Sequence, residues 1–160
     1  MQQAQIRLTR PDDGGVAPLL AALDAYLYRQ YPPEEFSADV NHILGVSALL
    51  DPSVTFVAAW LGDEAVGCGA VRRMDDAGGI YGEIKRMFVR PDARGHQLGA
   101  RIVAALEEAL RQDGIQRVKL ETGTRQPEAK RLYERCGYRV CSAFGDYGSS
   151  PVSVFMEKQL

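Results

Sequence analysis

The sequence predicts an α/β fold in the broad sense, a mixed sheet of six to seven strands flanked by about four helices in the order β-α-α-β-β-β-α-β-α-β-β. Three observations carry this. Residues 82–101, GEIKRMFVRPDARGHQLGAR, read as an extended segment, a Pro-Asp turn and a loop that runs into a helix near Leu98. Ahead of them, the strand-like runs at 54–61 and 65–74 are separated only by Gly62-Asp63-Glu64, as in an antiparallel hairpin. Behind them, helical apolar periods alternate with short strand-like runs, so the front half of the sheet is antiparallel and the back half is wound with helices.

Each element has its own reason. Residues 5–9 alternate apolar and polar about Ile6 and Leu8 and make the first strand. Pro11-Asp12-Asp13-Gly14-Gly15 breaks it and offers a helix cap. Val16, Leu19, Leu20, Leu23, Tyr26 and Leu27 then recur at three and four, giving one apolar helix face. Tyr31-Pro32-Pro33 ends this helix, because proline bars the residue before it from the helical region. A second helical stretch falls within residues 37–50, with Val40, Ile43 and Leu44 turned inward. In the hairpin, Gly67 and Gly69 mark a bulge or the close approach of another backbone. Residues 75–79 turn the chain into the central strand at 83–89. The helix over 98–112 places Leu98, Ile102, Leu106, Ala109 and Leu110 on one side and stops at Gly114. Residues 118–122 form a fifth strand, and Pro127 opens the next helix at its tolerated first position. Ala129, Leu132, Tyr133 and Cys136 line one face of that helix, Gly137 stops it, and strands at 138–141 and 152–157 complete the sheet.

The 160 residues fit one domain, 1–160, that buries roughly 70% of the surface its unfolded chain would expose. A net charge of −2 weighs against nucleic acid as a partner, which would ask for a basic excess. The N-terminal residues lack the apolar core of a signal peptide, and no apolar run approaches the roughly 20 residues that span a bilayer. A cytoplasmic protein without a membrane partner is expected. Cys68, Cys136 and Cys141 have no CxxC or Cys/His spacing, so neither a disulfide framework nor a metal is expected, and the thiols read as small apolar groups.

The chemistry concentrates in residues 82–101. A strand that ends in a loop of backbone amides and enters a helix makes an anion site, because the first helical N–H groups lack partners and the macrodipole is positive there. Lys85, Arg86, Arg90, Arg94 and Arg101 crowd the same stretch, which suits a phosphorylated cofactor. A dinucleotide loop is one reading, since Glu121 falls near the spacing of a ribose-binding acid. Against it, the loop from Arg94 to Gly99 is not GxGxxG, and Lys85 and Arg86 stand where a buried parallel strand is nearly all apolar. No Gly-Lys-Ser/Thr is present for a Walker loop.

Residues 82–101, followed by Leu120-Glu121, Gln126-Pro127-Glu128-Ala129, Leu132-Tyr133 and Gly137-Tyr138, resemble the GCN5-related N-acetyltransferase (GNAT) superfamily. The element order of nearly the whole chain shares the likeness, and the specific motifs occupy about residues 82–138. The resemblance implies acetyl-CoA as co-substrate in a V-shaped gap between the fourth and fifth strands, and no metal. The amides of Gly95, His96, Gln97, Leu98, Gly99 and Ala100 would hold the diphosphate, with the Arg94 and His96 side chains in reach of phosphate. The backbone of Met87, Phe88 and Val89 would pair with pantetheine. Gln97 replaces the usual internal glycine, at a cost on the order of 1 kcal/mol if that position needs positive φ. Gln126 stands where the family often has an Asn near the pantetheine.

The implied reaction is direct attack of a primary amine in a ternary complex. An alkylammonium titrates near 10.4, so the amine must first lose a proton. Glu83 matches the glutamate of members such as histone acetyltransferases, and Glu121 that of ribosomal-protein acetyltransferases; either stands as the base, directly or through water. Tyr133 matches the tyrosine that protonates the departing thiolate, and an amide near Met87 is the donor for the thioester oxygen. The acceptor cleft would be lined by Tyr31, Glu34, Glu35, Phe36, Asp39, Phe144, Asp146 and Tyr147, acids and aromatics that suit a cationic amine. A small-molecule or amino-acid-like acceptor is the first expectation and a protein N-terminus or lysine the second. A CoA-binding module without turnover is the non-enzymatic alternative. Dimers are frequent among the proteins this chain resembles, so a homodimer is the implied assembly.

Overall fold

The computed structural model describes residues 3–31, 43–148 and 150–160. In these residues seven strands form one sheet: β1 (Gln5–Leu8), β2 (Val54–Leu61), β3 (Glu64–Asp76), β4 (Gly79–Val89), β5 (Arg117–Gly123), β6 (Arg139–Cys141) and β7 (Ser153–Gln159). Among the described residues four helices flank it: α1 (Ala17–Gln30), the single turn α2 (Val46–Leu49), α3 (Leu98–Gln112) and α4 (Pro127–Arg135). The strand order is β1-β2-β3-β4-β5-β7-β6, antiparallel throughout except for the β4–β5 seam. The sequence yields the element order but not the seating of β7 between β5 and β6.

Local chemistry sets the boundaries. Tyr31 caps α1 in an extended conformation, as a residue followed by proline must. No side chain caps the start of α1; Asp13 instead accepts the Gly15 amide at 2.8 Å and holds the turn before it. The predicted turn at 75–79 shrinks to Ala77 and Gly78, because β3 and β4 stay paired as far as Asp76↔Gly79. The Pro-Asp turn is one 3-10 turn, Pro91–Ala93. Of the second predicted helical stretch, the described residues are helical at Val46–Leu49, and residues 37–42 of it lie outside the described residues.

Two apolar layers hold the sheet. Ile102, Val103, Leu106 and Leu110 of α3 pack with Val71, Ile84, Val118, Leu120 and Met156 on one face. Leu19, Leu20 and Leu23 of α1 pack with Phe56, Ala58, Cys68, Ala70 and Phe88 on the other. Gly69 serves both predicted glycine roles. A Cβ there would stand 2.5 Å from Met87 Sδ and 2.7 Å from Ile102, so its absence lets α3 lie close to β3. It also opposes a bulge in β4: the register passes from Cys68↔Phe88 to Ala70↔Lys85, leaving Arg86 and Met87 against one residue. Arg86 takes φ 59° at that bulge. Cys68 is fully buried, its thiol pushed up to about 12 by burial, which agrees with its reading as an apolar filler. Among the described residues, no helix is long and apolar enough to cross a membrane.

Candidate active site

β4 and β5 pair only over Gly82↔Val118, Glu83↔Lys119 and Ile84↔Leu120, although β4 continues to Val89 and β5 to Gly123. Past Ile84 the strands diverge, and the β4 bulge lies just beyond the last pair. A cavity of about 120 Å³ occupies the opening, with Lys85, Arg86 and Met87 of β4, Glu121 of β5, Tyr133 of α4 and Tyr31 in its wall. The edge of β4 from Lys85 to Val89 has no β5 partner and is free to pair with an extended ligand.

One end of this opening leads to the start of α3. Gly95 has φ 91° and Gln97, the cap of α3, has φ 59° and ψ 25°, so the position where glycine is usual does require a left-handed residue. Among the described residues the amides of Gly95, His96 and Gln97 find no backbone acceptor, and Leu98, Gly99 and Ala100 belong to the first helical turn, whose N–H groups have none within the helix. Arg94 and His96 are exposed; Arg94 Nε donates to the Val89 carbonyl at 3.2 Å, tying the loop to the end of β4. Leu98 is buried in the core. This cradle of donors fits a diphosphate. Gln126 lines the cavity, but its Oε1 accepts the Gly123 amide at 3.0 Å and so also holds the turn between β5 and α4. Phe88 is buried toward α1, whereas Met87 and Val89 are half-buried toward α3.

The other end holds the titratable groups. Glu121 accepts from Ser153 Oγ at 3.1 Å, and burial pushes its carboxyl up to about 7 against the pull of the Lys85 charge and the serine bond. Tyr133 is buried, and burial raises its hydroxyl well above the ordinary tyrosine value, so it stays protonated. Glu83 is 1% exposed and does not line the cavity: Oε1 accepts from Arg72 Nε at 2.7 Å and Oε2 from Tyr147 Oη at 2.6 Å. Tyr147 Oη in turn accepts from Lys85 Nζ, whose pKa is lowered by burial. Tyr31 reaches the end of β5, where its hydroxyl accepts the Arg125 amide at 3.2 Å and fills the space a Cβ on Gly123 would need. Phe144 packs edge-on against Tyr81, Tyr147 and Phe155 rather than lining the cavity. Glu34, Glu35, Phe36 and Asp39 lie outside the described residues, and Asp146 is exposed.

Arg72 and Ser153 are site neighbours that sequence reasoning missed, whereas Lys85 and Arg86 are read there as local positive charge. Arg72 was within reach: a two-residue turn at Ala77-Gly78 places it directly across from Glu83. Ser153 was not, because its approach to Glu121 depends on β7 pairing with β5.

Residues 17–138 match the model of the Acetyltransferase (GNAT) family. The chain belongs to this family. It is 40% identical to the IAA acetyltransferase of Azospirillum brasilense over 160 residues, covering 100% of each chain. A crystal structure from Klebsiella pneumoniae, assigned as an acyl-CoA N-acyltransferase, superposes with TM-score 0.78 at 36% identity over 99% of this chain and 98% of that one. The PaiA N-acetyltransferase of Thermoplasma acidophilum, solved in complex with coenzyme A, shares the fold with TM-score 0.77 at 15% identity over 99% of each chain. The chain is thus a GNAT acetyltransferase, and its divided β4–β5 seam is the seam the family resemblance implies.

Proposed function

We propose that this acetyltransferase uses acetyl-CoA to acetylate the primary amine of a small-molecule or amino-acid-like acceptor by direct attack in a ternary complex. The observation that carries the reading is the opened seam, where Glu121 and Tyr133 enter one cavity that continues to the free edge of β4. Acetyl-CoA, when bound, supplies the activated acetyl group. The amides from Gly95 to Ala100 hold its diphosphate, and the β4 edge at Met87, Phe88 and Val89 aligns the pantetheine, with the Met87 amide as oxyanion donor.

Glu121 rather than Glu83 takes the amine proton. A base that works near neutrality needs a pKa near the ambient pH and access to the substrate, and Glu121 has both. Glu83, held between Arg72 and Tyr147, orients the acceptor side of the cleft instead. Tyr133, kept protonated by burial, donates to the departing sulfur. The test is thiol release from acetyl-CoA with a panel of amines. Amine-dependent release is expected, and binding of acetyl-CoA without release across a broad panel would instead support a non-catalytic CoA-binding module.

A further inference from the structure

Four charged side chains share one face of the β4–β5 seam. Glu83 stands opposite Lys119 in the parallel register and Ile84 opposite Leu120, so the next step brings Lys85 opposite Glu121. Side chains two apart on a strand point the same way, and acid and cation therefore alternate both along each strand and across the seam. The β4 bulge begins one residue later, at Arg86, so Lys85 keeps the regular alternation. Of the four, Lys85 and Glu121 are in the wall of the cavity, and Glu83 and Lys119 are not.

Among the described residues Glu121 is faced by Lys85 and Glu83 from β4, Tyr31 from the end of α1, Tyr133 from α4, Ser153 from β7 and Tyr147 from the segment before β7. The three tyrosines are neutral, because burial raises each hydroxyl above its ordinary value. Glu83 is matched from β3 by Arg72 at 2.7 Å, closer than the 3.7 Å to Lys85, so most of its charge is balanced elsewhere. Lys119 carries its Nζ over the rings of Phe144 and Tyr81, and Arg86 is paired with Asp24 of α1. The charge left to act on Glu121 is that of Lys85. Its ammonium is held by Tyr147 Oη, which donates on to Glu83 at 2.6 Å, and its side chain is 9% exposed, where solvent screens little.

We propose that Lys85 is a positioning residue for the base of the reaction: fixed by Tyr147 and Glu83, its ammonium stands across the seam from Glu121 and keeps that carboxylate open to the amine proton. This rests on Glu121 being the base, as in the N-acetyltransferase reading above. Without Lys85 the Ser153 bond alone would oppose the effect of burial, and a carboxyl already protonated when the amine arrives cannot take its proton. The role needs no contact between Lys85 and the amine.

Carbon-13 NMR of the glutamate-labelled protein follows the Glu121 carboxyl directly, its signal being the one lost in Glu121→Gln. Its midpoint should lie near 7 and rise by about one pH unit or more in Lys85→Met, as removal of a nearby opposite charge requires. Lys85→Arg, which retains a cation, should hold the midpoint, and Lys85→Gln serves as the second neutral variant should Lys85→Met fold poorly. The acid limb of kcat/KM should move with the midpoint. With the amine that the panel turns over fastest, whose own titration cancels in the ratio, Lys85→Met should lose about tenfold against the wild type at pH 6 and come back to within about threefold at pH 9. A midpoint unmoved in the neutral variants, or moved as far by Lys85→Arg, would overturn the proposal and leave Glu121 standing as the base. A midpoint that moves while the acid limb stays would remove Glu121 as the base, and this role of Lys85 with it, without touching the acetyl transfer itself.

Discussion

Glu83 sits with both oxygens occupied by Arg72 and Tyr147, whereas Glu121 meets one serine hydroxyl and an otherwise desolvating wall. On the proposed reading the two glutamates on neighbouring strands therefore do different work. If Glu121 must be ionised to accept the amine proton, activity requires its carboxylate, which is present above about pH 7 and lost below it. The acid limb of a kcat/KM profile for the acceptor should therefore bend near 7, and a bend near 4.5 would remove Glu121 from this role. Glu121→Gln should lower kcat by about 10²- to 10⁴-fold. The same substitution should stabilise the fold above pH 7. The sign follows from linkage: the folded pKa is raised, so the folded state holds a proton that the unfolded state has lost between about 4.5 and about 7, and stability falls as pH rises through that window. Chemical denaturation at pH 8 should show Glu121→Gln more stable by on the order of 2 kcal/mol. Tyr133→Phe should reduce turnover roughly 10- to 100-fold with acetyl-CoA affinity nearly intact. The loss is smaller because a thiol of pKa near 8.5 leaves readily even without a donor. Unchanged turnover with a good acceptor would make Tyr133 a packing residue.

The strand-loop-helix unit β4–α3 carries a local conflict between sequence and geometry. Gln97 caps α3 with φ 59°, and its side chain makes no capping hydrogen bond, so the left-handed turn is paid for without return. Gln97→Gly removes that strain but adds freedom to the unfolded chain, leaving a net gain of about 0.5–1 kcal/mol. A melting experiment should show a rise of roughly 1–4 °C. A fall in Tm together with weaker CoA binding would mean that the glutamine side chain serves the loop. Elements of this kind are the most legible part of the sequence. α3 and β2 begin and end where periodicity, Gly114 and Gly62 place them, because those signals lie within the elements or at their ends. β6 is only three residues long and lies at the sheet edge, so nothing local says that β7 will come between it and β5. The site divides the same way. Its cradle of amides is written in one continuous stretch, while the choice between Glu83 and Glu121 depends on desolvation by α1, α4 and β7, which no window of sequence contains.

For the molecule as a whole, the seam is a deliberate defect in an otherwise continuous sheet. Among the described residues seven strands share one sheet, yet β4 and β5 hold only three residue pairs, and α3 adds to that join by packing against Ile84 on one side of the seam and Val118, Leu120 and Met156 on the other. A ligand that pairs with β4, seats its phosphates at α3 and meets Glu121 and Tyr133 across the seam would add a further bridge between the halves. Because it binds the folded state alone, its free energy adds directly to stability, by about 2.7 kcal/mol at a hundredfold excess over Kd. For a chain of 160 residues this corresponds to a rise in Tm of roughly 5–10 °C. Coenzyme A should produce that shift and NAD should not, since the loop lacks the glycine spacing of a dinucleotide site. Hydrogen exchange should locate the same effect, with protection gained at the amides of residues 95–100 and along β4 past Ile84. Stabilisation by NAD but not by coenzyme A, or protection confined to other strands, would place the cofactor elsewhere and leave the divided seam without its proposed occupant.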